Sequence, residues 1–351
     1  MLSYQDQIVR KNFANLSLLG LSIVLALGAL EILTRISMPI SPGAKNLTLN
    51  GTEPIEIAKN GFRHKAGLVY RQVAPEFDTV VSIDKFGNRL TSREEPPEFI
   101  FLGDSFTFGH GVGDSETFAF LFCKQKEVVC ANLGRSGTGT LVQLDILEHY
   151  LESENWRPVE VKLFLMAMTS TLMSGNDLLD NFYYAEVQAV KNRKLPAASN
   201  LKAMENVKAP DNTNRWLNFR TAAIKHSNLA RVLYFQFAPL LKQKLSPAPK
   251  QSTLVAALKA TKSALERLAN LGQKFGFEHT VYVLHPVQDI LRGTDQVTFE
   301  TIKQLRPSTE IFDTAGIFKD NPTDNYYSFD GHFNKSGAKK VFEFLIQQHN
   351  K

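Results

Sequence analysis

Between Asn12 and Leu30 the chain carries no charged residue. No other feature narrows the possible folds so far. Phe13 to Leu30 reads FANLSLLGLSIVLALGAL, with only Asn15, Ser17 and Ser22 as polar breaks. Its apolar residues surround a helix on every side, whereas a core helix of a soluble domain shows one apolar stripe. A bilayer core about 30 Å thick takes roughly 20 helical residues to cross. The run extends past Glu31 through Ile32, Leu33 and Ile36, which puts Glu31 near the far interface, in reach of water. Arg10 and Lys11 precede it, so residues 1–12 form a short cytoplasmic N-terminus. The expectation is a transmembrane signal anchor over residues 13–36, with the rest of the chain outside the cytoplasm. A cleaved signal peptide, cut near Ala26-Leu27-Gly28, is the competing reading. The length of the run favours the anchor.

Export bears on the two cysteines, Cys123 and Cys130. In an oxidising compartment they could bridge a short loop between a helix end and a strand start. Buried thiols are the alternative. Two cysteines are too few for a disulfide-framework protein or a cysteine-based zinc module. Of the 351 residues 43% are hydrophobic and 21% charged, an ordinary globular mixture. The net charge of +5 is weak over this length, and no run of five basic residues occurs, so nucleic-acid binding has no support.

Residues 38–60 are rich in Pro, Gly, Asn and Ser, and the whole of 37–75 is read as a linker. Asp78 to Ile83 is a strand candidate and Phe86-Gly87-Asn88 a turn. From residue 98 strands and helices alternate. Phe99–Leu102, Val128–Leu133, Val161–Ala167 and Thr280–Leu284 read as strands. Helices are expected from Asp114 or Ser115 to about Lys124, over Thr138–Leu151, along the Leu254, Leu258, Leu265, Leu268 stripe, and over Lys335–Gln348. This alternation predicts an α/β fold with a parallel sheet covered on both faces. Residues 178–250 break the rhythm and read as a mainly helical insertion, with Asn228–Leu241 one helix candidate.

Open parallel sheets build their sites at the carboxyl ends of strands. Gly103-Asp104-Ser105 follows the first strand, and Asn132-Leu133-Gly134-Arg135-Ser136-Gly137-Thr138-Gly139 the second. Ser174-Gly175-Asn176-Asp177 follows the third, and Asp330-Gly331-His332-Phe333-Asn334 precedes the last helix. Each block alone is an ordinary turn. Together they supply what acyl transfer needs. Ser105 offers a hydroxyl on a sharp turn, His332 can take its proton, and Asp330 can hold the imidazole tautomer. The backbone N–H groups of Ser105 and Gly137 and the side-chain amide of Asn176 can hold the oxyanion, each donor worth about 3 kcal/mol.

These four blocks resemble those of the SGNH, or GDSL, hydrolases, over about residues 76–351. Ser105 lies in GDSF, Gly137 in NLGRSGTG, Asn176 in SGND and His332 in DGHFN. The resemblance implies a flavodoxin-like three-layer α/β/α fold, a Ser105–His332–Asp330 triad, an oxyanion hole of Ser105, Gly137 and Asn176, no metal and no cofactor. The strings FIFLGDSFTFGHGV, GNDLLDN and DGHFNKSGAKKV are most similar to membrane-anchored bacterial members found in surface-polysaccharide contexts. That implies an inner-membrane, single-pass protein with its catalytic domain in the periplasm, acting on acyl esters, of which acetyl groups on surface polysaccharide are one candidate. No protein partner is implied.

One departure stands out. Many members place the aspartate three residues before the histidine; here Asp330 is two before His332, a spacing similar to some polysaccharide O-acetyltransferase relatives. It leaves the role of Asp330 open, with Asp324 a weaker substitute, and keeps acyl transfer as a reaction outcome. A non-catalytic carbohydrate-binding or assembly protein on the same fold is a further alternative. Membrane lipids are also conceivable substrates. His110 is read as lining the rim, His285 as structural, Asp104 as a maker of loop hydrogen bonds, and Asp177 as a helix cap. Gly109-His110-Gly111-Val112-Gly113 is no dinucleotide fingerprint, and neither a P-loop nor an HExxH motif occurs.

Overall fold

The computed structural model describes residues 4–37, 45–48, 55–58, 61–74, 76–91, 95–168, 176–192, 227–230, 232–233, 251–306, 308–328 and 330–350. The chain divides into two compact units, Met1–Pro42 with Leu201–Ser246, and Gly43–Asn200 with Pro247–Lys351.

In the first unit, helix α1 (Tyr4–Ser37) runs through the uncharged segment. Its stretch Asn15–Ser37 is long and apolar enough to cross a membrane, and none of it is buried. Glu31 is not simply turned to water. Its carboxylate accepts hydrogen bonds from Ser227 Oγ at 2.7 Å and from the Asn228 and Leu229 N–H groups at 2.9 Å each. It therefore caps the helical turn that begins at Asn228, where unsatisfied N–H groups attract an anion. Of the expected Asn228–Leu241 helix, residues 228–230 and 232–233 are helical. The remainder of that helix and residues 193–226 of the insertion lie outside the described residues.

The second unit opens with short strands β1 (Lys45–Thr48), β2 (Ile55–Ala58), β3 (Gly61–His64), β4 (Val69–Ala74) and β5 (Phe77–Ser82). The linker expected over 37–75 is corrected here. β4 pairs antiparallel with β5 from Val69–Ser82 to Ala74–Phe77, β1 pairs with β4, and β2 with β3. The turn-rich composition described the connections but not the short spans between them. Leu68 and Tyr70 are buried with Val81, Ile83 and Phe108, so the hairpin has a core of its own. The expected domain start at residue 76 falls in the turn of this hairpin.

Next come β6 (Phe99–Leu102), α2 (Ser105–Phe108), α3 (Phe118–Lys126), β7 (Cys130–Asn132), α4 (Thr140–Ser153), β8 (Glu160–Met166) and α5 (Asp177–Asn192). They are followed by α6 (Gln251–Phe275), β9 (Glu278–Leu284), α7 (Val287–Arg292), α8 (Asp295–Leu305), β10 (Ile311–Asp313) and α9 (Lys335–His349). The five strands β6 to β10 form one parallel sheet in the order β10-β9-β8-β6-β7. Counted along the chain this is 2-1-3-4-5, the flavodoxin-like order of a doubly wound sheet, as the SGNH resemblance implies. The strand order reverses at β6, between β7 and β8.

Strand side chains alternate between two cores. Ile100, Leu102, Val161, Leu163, Leu165, Val281 and Val283 pack with Leu144 and Leu147 of α4 and Leu265 and Leu268 of α6. Phe99, Phe101, Phe164, Met166, Tyr282 and Leu284 pack on the other side with Phe118 and Phe122 of α3 and Val341 and Leu345 of α9. Lys162 interrupts the second core at 2% exposure. Its ammonium pairs with Glu160 at 2.6 Å and lies over the rings of Phe99, Phe122 and Tyr282, contacts that offset the cost of burying a charge.

Helix α3 and strand β10 depart furthest from expectation. α3 starts at Phe118, capped by Thr117 Oγ1, which accepts from the Phe120 N–H. Asp114 does not cap it, because its carboxylate is held by Arg89 at 2.9 Å and the Ser82 N–H at 3.0 Å. β10 carried no recognisable pattern, being a three-residue, half-buried edge strand.

Cys123 and Cys130 form a disulfide between α3 and the first residue of β7. In the chain-entropy model a loop this short restricts the unfolded chain by about 2–3 kcal/mol. A Cys123→Ala, Cys130→Ala double variant is expected to lose stability of about that size, read as a lower urea midpoint. An unchanged midpoint contradicts a stabilising bridge.

Candidate active site

β6 ends at Leu102, and three residues later Ser105 opens the four-residue helix α2. Asp104 makes this turn: its Oδ1 accepts the Phe106 N–H at 2.9 Å. Behind it Arg89, fully buried, donates to the carbonyls of Gly109 at 3.3 Å and Val112 at 2.7 Å. The loop that follows α2 is thereby tied to the body of the domain.

The second block packs from the side. Asn132 donates through Nδ2 to the Thr107 carbonyl at 2.8 Å and accepts the Gly134 N–H at 3.0 Å. A Cβ at Gly134 would stand 2.3 Å from the Phe108 backbone nitrogen, so only glycine lets the two loops approach this closely. Gly137 is different. It is exposed, in open space, and left-handed at φ +73°.

The last block comes from the C-terminal loop. Phe333 is buried against Phe318 and Phe106. Asn334 caps α9 by accepting the Gly337 N–H at 3.1 Å. These two anchors follow directly on His332 and hold it over Ser105. His332 Nε2 lies 2.7 Å from Ser105 Oγ, and His332 Nδ1 lies 2.5 Å from Asp330 Oδ1. The doubt raised by the two-residue spacing is answered geometrically: Asp330, not Asp324, meets the imidazole. Asp324 sits in a separate turn, Pro322–Asn325.

Electrostatics keep these groups in opposite roles. Burial works to raise the Asp330 carboxyl, but hydrogen bonds from His110 and His332 outweigh it and hold it well below the usual carboxylate range. Burial pushes His332 down from 6.5, and its hydrogen bond to Asp330 only partly restores it. The arrangement is a neutral imidazole between an ionised carboxylate and a hydroxyl, able to take the hydroxyl proton.

Asn176 and Gly137 lie on the loops leaving β8 and β7, the two neighbours of β6. Asn176 is fully buried. Its Oδ1 accepts from the Met168 and Leu178 N–H groups at 3.2 Å each, and its Nδ2 donates to the Met168 carbonyl at 2.7 Å. Ser174 and Gly175 of the same block lie outside the described residues. Asp177 accepts the Met166 N–H at 2.8 Å from the end of β8, while Asn176 takes the Leu178 N–H at the start of α5. Burial, together with nearby Asp180, pushes Asp104 up to about 7. Burial and the neighbouring Asp104 raise Asp177 as well.

His110, expected at the rim, belongs to this cluster. Its Nε2 stands 3.5 Å from Asp330 Oδ2, and its ring lies 4.5 Å from that of His332. Sequence proximity to Ser105 was the only available sign. His110, Asp330 and His332 converge closely enough to suggest a metal centre. The spacing favours proton sharing. Two ligands of a tetrahedral ion with bonds near 2.1 Å stand about 3.4 Å apart, whereas Asp330 and His332 are 2.5 Å apart. His285 is buried at the end of β9, with Nε2 2.8 Å from Asp313 Oδ1 at the end of β10, a second His–Asp pair away from Ser105.

No family model matches the chain, and no curated protein matches it. Solved structures do. A lipolytic protein of the G-D-S-L family from Desulfitobacterium hafniense DCB-2 is 11% identical over 71% of this chain and 97% of its own, at a TM-score of 0.35. A catalytic mutant of an acetylxylan esterase from Geobacillus stearothermophilus is 11% identical over 73% and 94%, also at 0.35. A carbohydrate esterase family 2 enzyme with a carbohydrate-binding domain from Corynascus thermopiles (Myceliophthora fergusii) is 10% identical over 88% and 87%, at 0.37. At such distances the roles of the residues rest on the geometry of this chain.

The two glycines of the second block separate by experiment. Gly134→Ala is expected to cost about 1–3 kcal/mol through overpacking against α2. Gly137→Ala, which has space but the wrong backbone region, is expected to cost about 1–2 kcal/mol. Urea unfolding measures both, and a Gly134→Ala protein as stable as wild type contradicts the close approach.

Proposed function

We propose that this chain is a serine ester hydrolase of the SGNH type. The observation that supports this reading is the continuous hydrogen-bonded line from Ser105 Oγ through His332 to Asp330. Ser105 Oγ attacks the acyl carbonyl as His332 Nε2 takes its proton. Asp330 stabilises the imidazolium through Nδ1–H. The oxyanion is held by the Ser105 and Gly137 N–H groups and the Asn176 amide. His332 returns the proton to the departing alcohol, and the acyl group stays on Ser105. Water, activated by the same imidazole, then releases the acid.

We infer a domain outside the cytoplasm, in the periplasm, tethered to the inner membrane by α1. The apolar stretch Asn15–Ser37, the preceding Arg10 and Lys11, and the Cys123–Cys130 bridge all favour this. There cytosolic thioesters are out of reach, which favours hydrolysis of acyl esters already present at the surface, such as acetyl groups on polysaccharide. The two-residue spacing between Asp330 and His332 favours one second reading, transfer of the acyl group to a sugar hydroxyl in place of water.

Ser105→Ala is expected to lower turnover of p-nitrophenyl acetate by about 10³-fold or more, with the fold retained by circular dichroism. Retained turnover sinks the assignment. Free acetate as sole product from acetylated oligosaccharide supports hydrolysis; acetylated acceptor marks transfer. A fluorophosphonate probe that leaves Ser105 unlabelled points instead to a binding protein.

The pH profile is a separate check. His332 must be neutral to act as base, and its burial lowers its pKa. Activity is therefore present above that lowered value and lost as pH falls through it. The acidic limb of kcat/KM is expected below 6.5, the ordinary histidine value. A limb at or above 6.5 contradicts a buried histidine base.

A further inference from the structure

The strand pair β4–β5 reaches the triad aspartate from outside the parallel sheet. Gln72 on β4 is 3% exposed. Its Oε1 accepts the Gly111 N–H at 2.7 Å. A backbone N–H can only donate, so this contact decides which end of the Gln72 amide is oxygen. The other end, Nε2, lies 3.3 Å from His110 Nδ1. An amide nitrogen donates, so His110 Nδ1 accepts. The proton of a neutral His110 is then on Nε2, the atom 3.5 Å from Asp330 Oδ2.

Nothing within Asp330-Gly331-His332 itself holds that second carboxylate oxygen. Oδ1 faces His332, through Nδ1 at 2.5 Å and the backbone N–H at 3.4 Å. The Asp330 N–H donates to Glu76 Oε2 at 2.9 Å, in the turn between β4 and β5. The hairpin thus supplies two holds, Glu76 on the backbone and Gln72 acting through His110 on the carboxylate. Tyr327 steadies the same loop by donating to the Gly111 carbonyl at 2.8 Å. The Phe77 ring meets His110 edge-on at 5.4 Å.

We propose that His110 is a positioning residue: Gln72 fixes its Nε2–H tautomer, and that N–H holds Asp330 Oδ2 so that Oδ1 stays aligned on His332. The proposal rests on the hydrolase reading above. At 3.5 Å the contact is an electrostatic pair at the outer edge of hydrogen-bond range. Partners one step removed from a reactive centre fix ring tautomer and orientation, and their loss costs roughly tenfold or more.

Three measurements on the full chain in detergent test it. Long-range proton–nitrogen correlation at alkaline pH, with His110 assigned by its absence from His110→Gln, is expected to show the Nε2–H tautomer. An Nδ1–H tautomer overturns the proposal, and this readout needs no folded Phe variant. His110→Phe, which keeps an aromatic ring without a donor, is expected to lower kcat about tenfold with KM changed less than about twofold. His110→Gln, which restores a donor, is expected to recover about half of the wild-type kcat. Wild-type kcat in a folded His110→Phe protein, or equal losses in both variants, overturns the proposal. If Ser105→Ala stays active, the hydrolase reading fails. If Ser105→Ala is inactive and His110→Phe is not impaired, only the positioning role fails.

Discussion

Parallel pairing of β6 with both β7 and β8 is the constraint on which the site depends. Parallel strands all release their chains at the same edge, so loops distant in sequence emerge side by side. The strand order reverses at β6, which opens a crevice there, and Ser105 stands three residues beyond its last strand residue. The pairing is stable because both faces are covered: every residue of β6 is buried, and its side chains alternate between two separate cores. Ser105, the proposed nucleophile, thus follows directly on a fully buried central strand. A hydroxyl aimed at a carbonyl has to be held still, and a buried central strand does that better than an edge.

Around that edge the domain tolerates unusual buried charge. Arg89 and Arg135 are nearly free of solvent, and each is engaged by backbone carbonyls of neighbouring turns. Asp104 and Asp177 are buried beside the nucleophile turn, where burial raises both. Asp104 accepts a backbone N–H of α2, and Asp177 one at the end of β8. Buried polar groups of this kind cost stability unless satisfied. Here they fix the loops whose shape the chemistry needs.

The sheet strands with strong apolar runs were legible, because a doubly buried strand has to be apolar throughout, and the long helices declared themselves by stripe and cap. The four loop blocks were legible for a chemical reason: glycine, serine, asparagine and histidine at strand ends have few other joint uses. β4 and β5 were only partly legible, since half of each strand faces solvent and the turn-rich flanks dominate the composition. β10 was too short to show a period. The contact of His110 with Asp330 was not legible, because its partners Gln72 and Asp330 lie far from it in the chain and neither forms a motif with it.

By itself the sequence determined the alternating α/β order, the apolar N-terminal helix, and the candidacy of Ser105 and His332. These follow from local periodicity and from residue chemistry, which need no partner in space. Only the tertiary structure decided that Asp330 serves His332 despite its two-residue spacing, that Cys123 meets Cys130, and that β4 and β5 bring Gln72 and Glu76 to the site. Those are distances between groups separated along the chain. They are set by how strands pair and how loops leave the sheet, quantities that no local pattern carries.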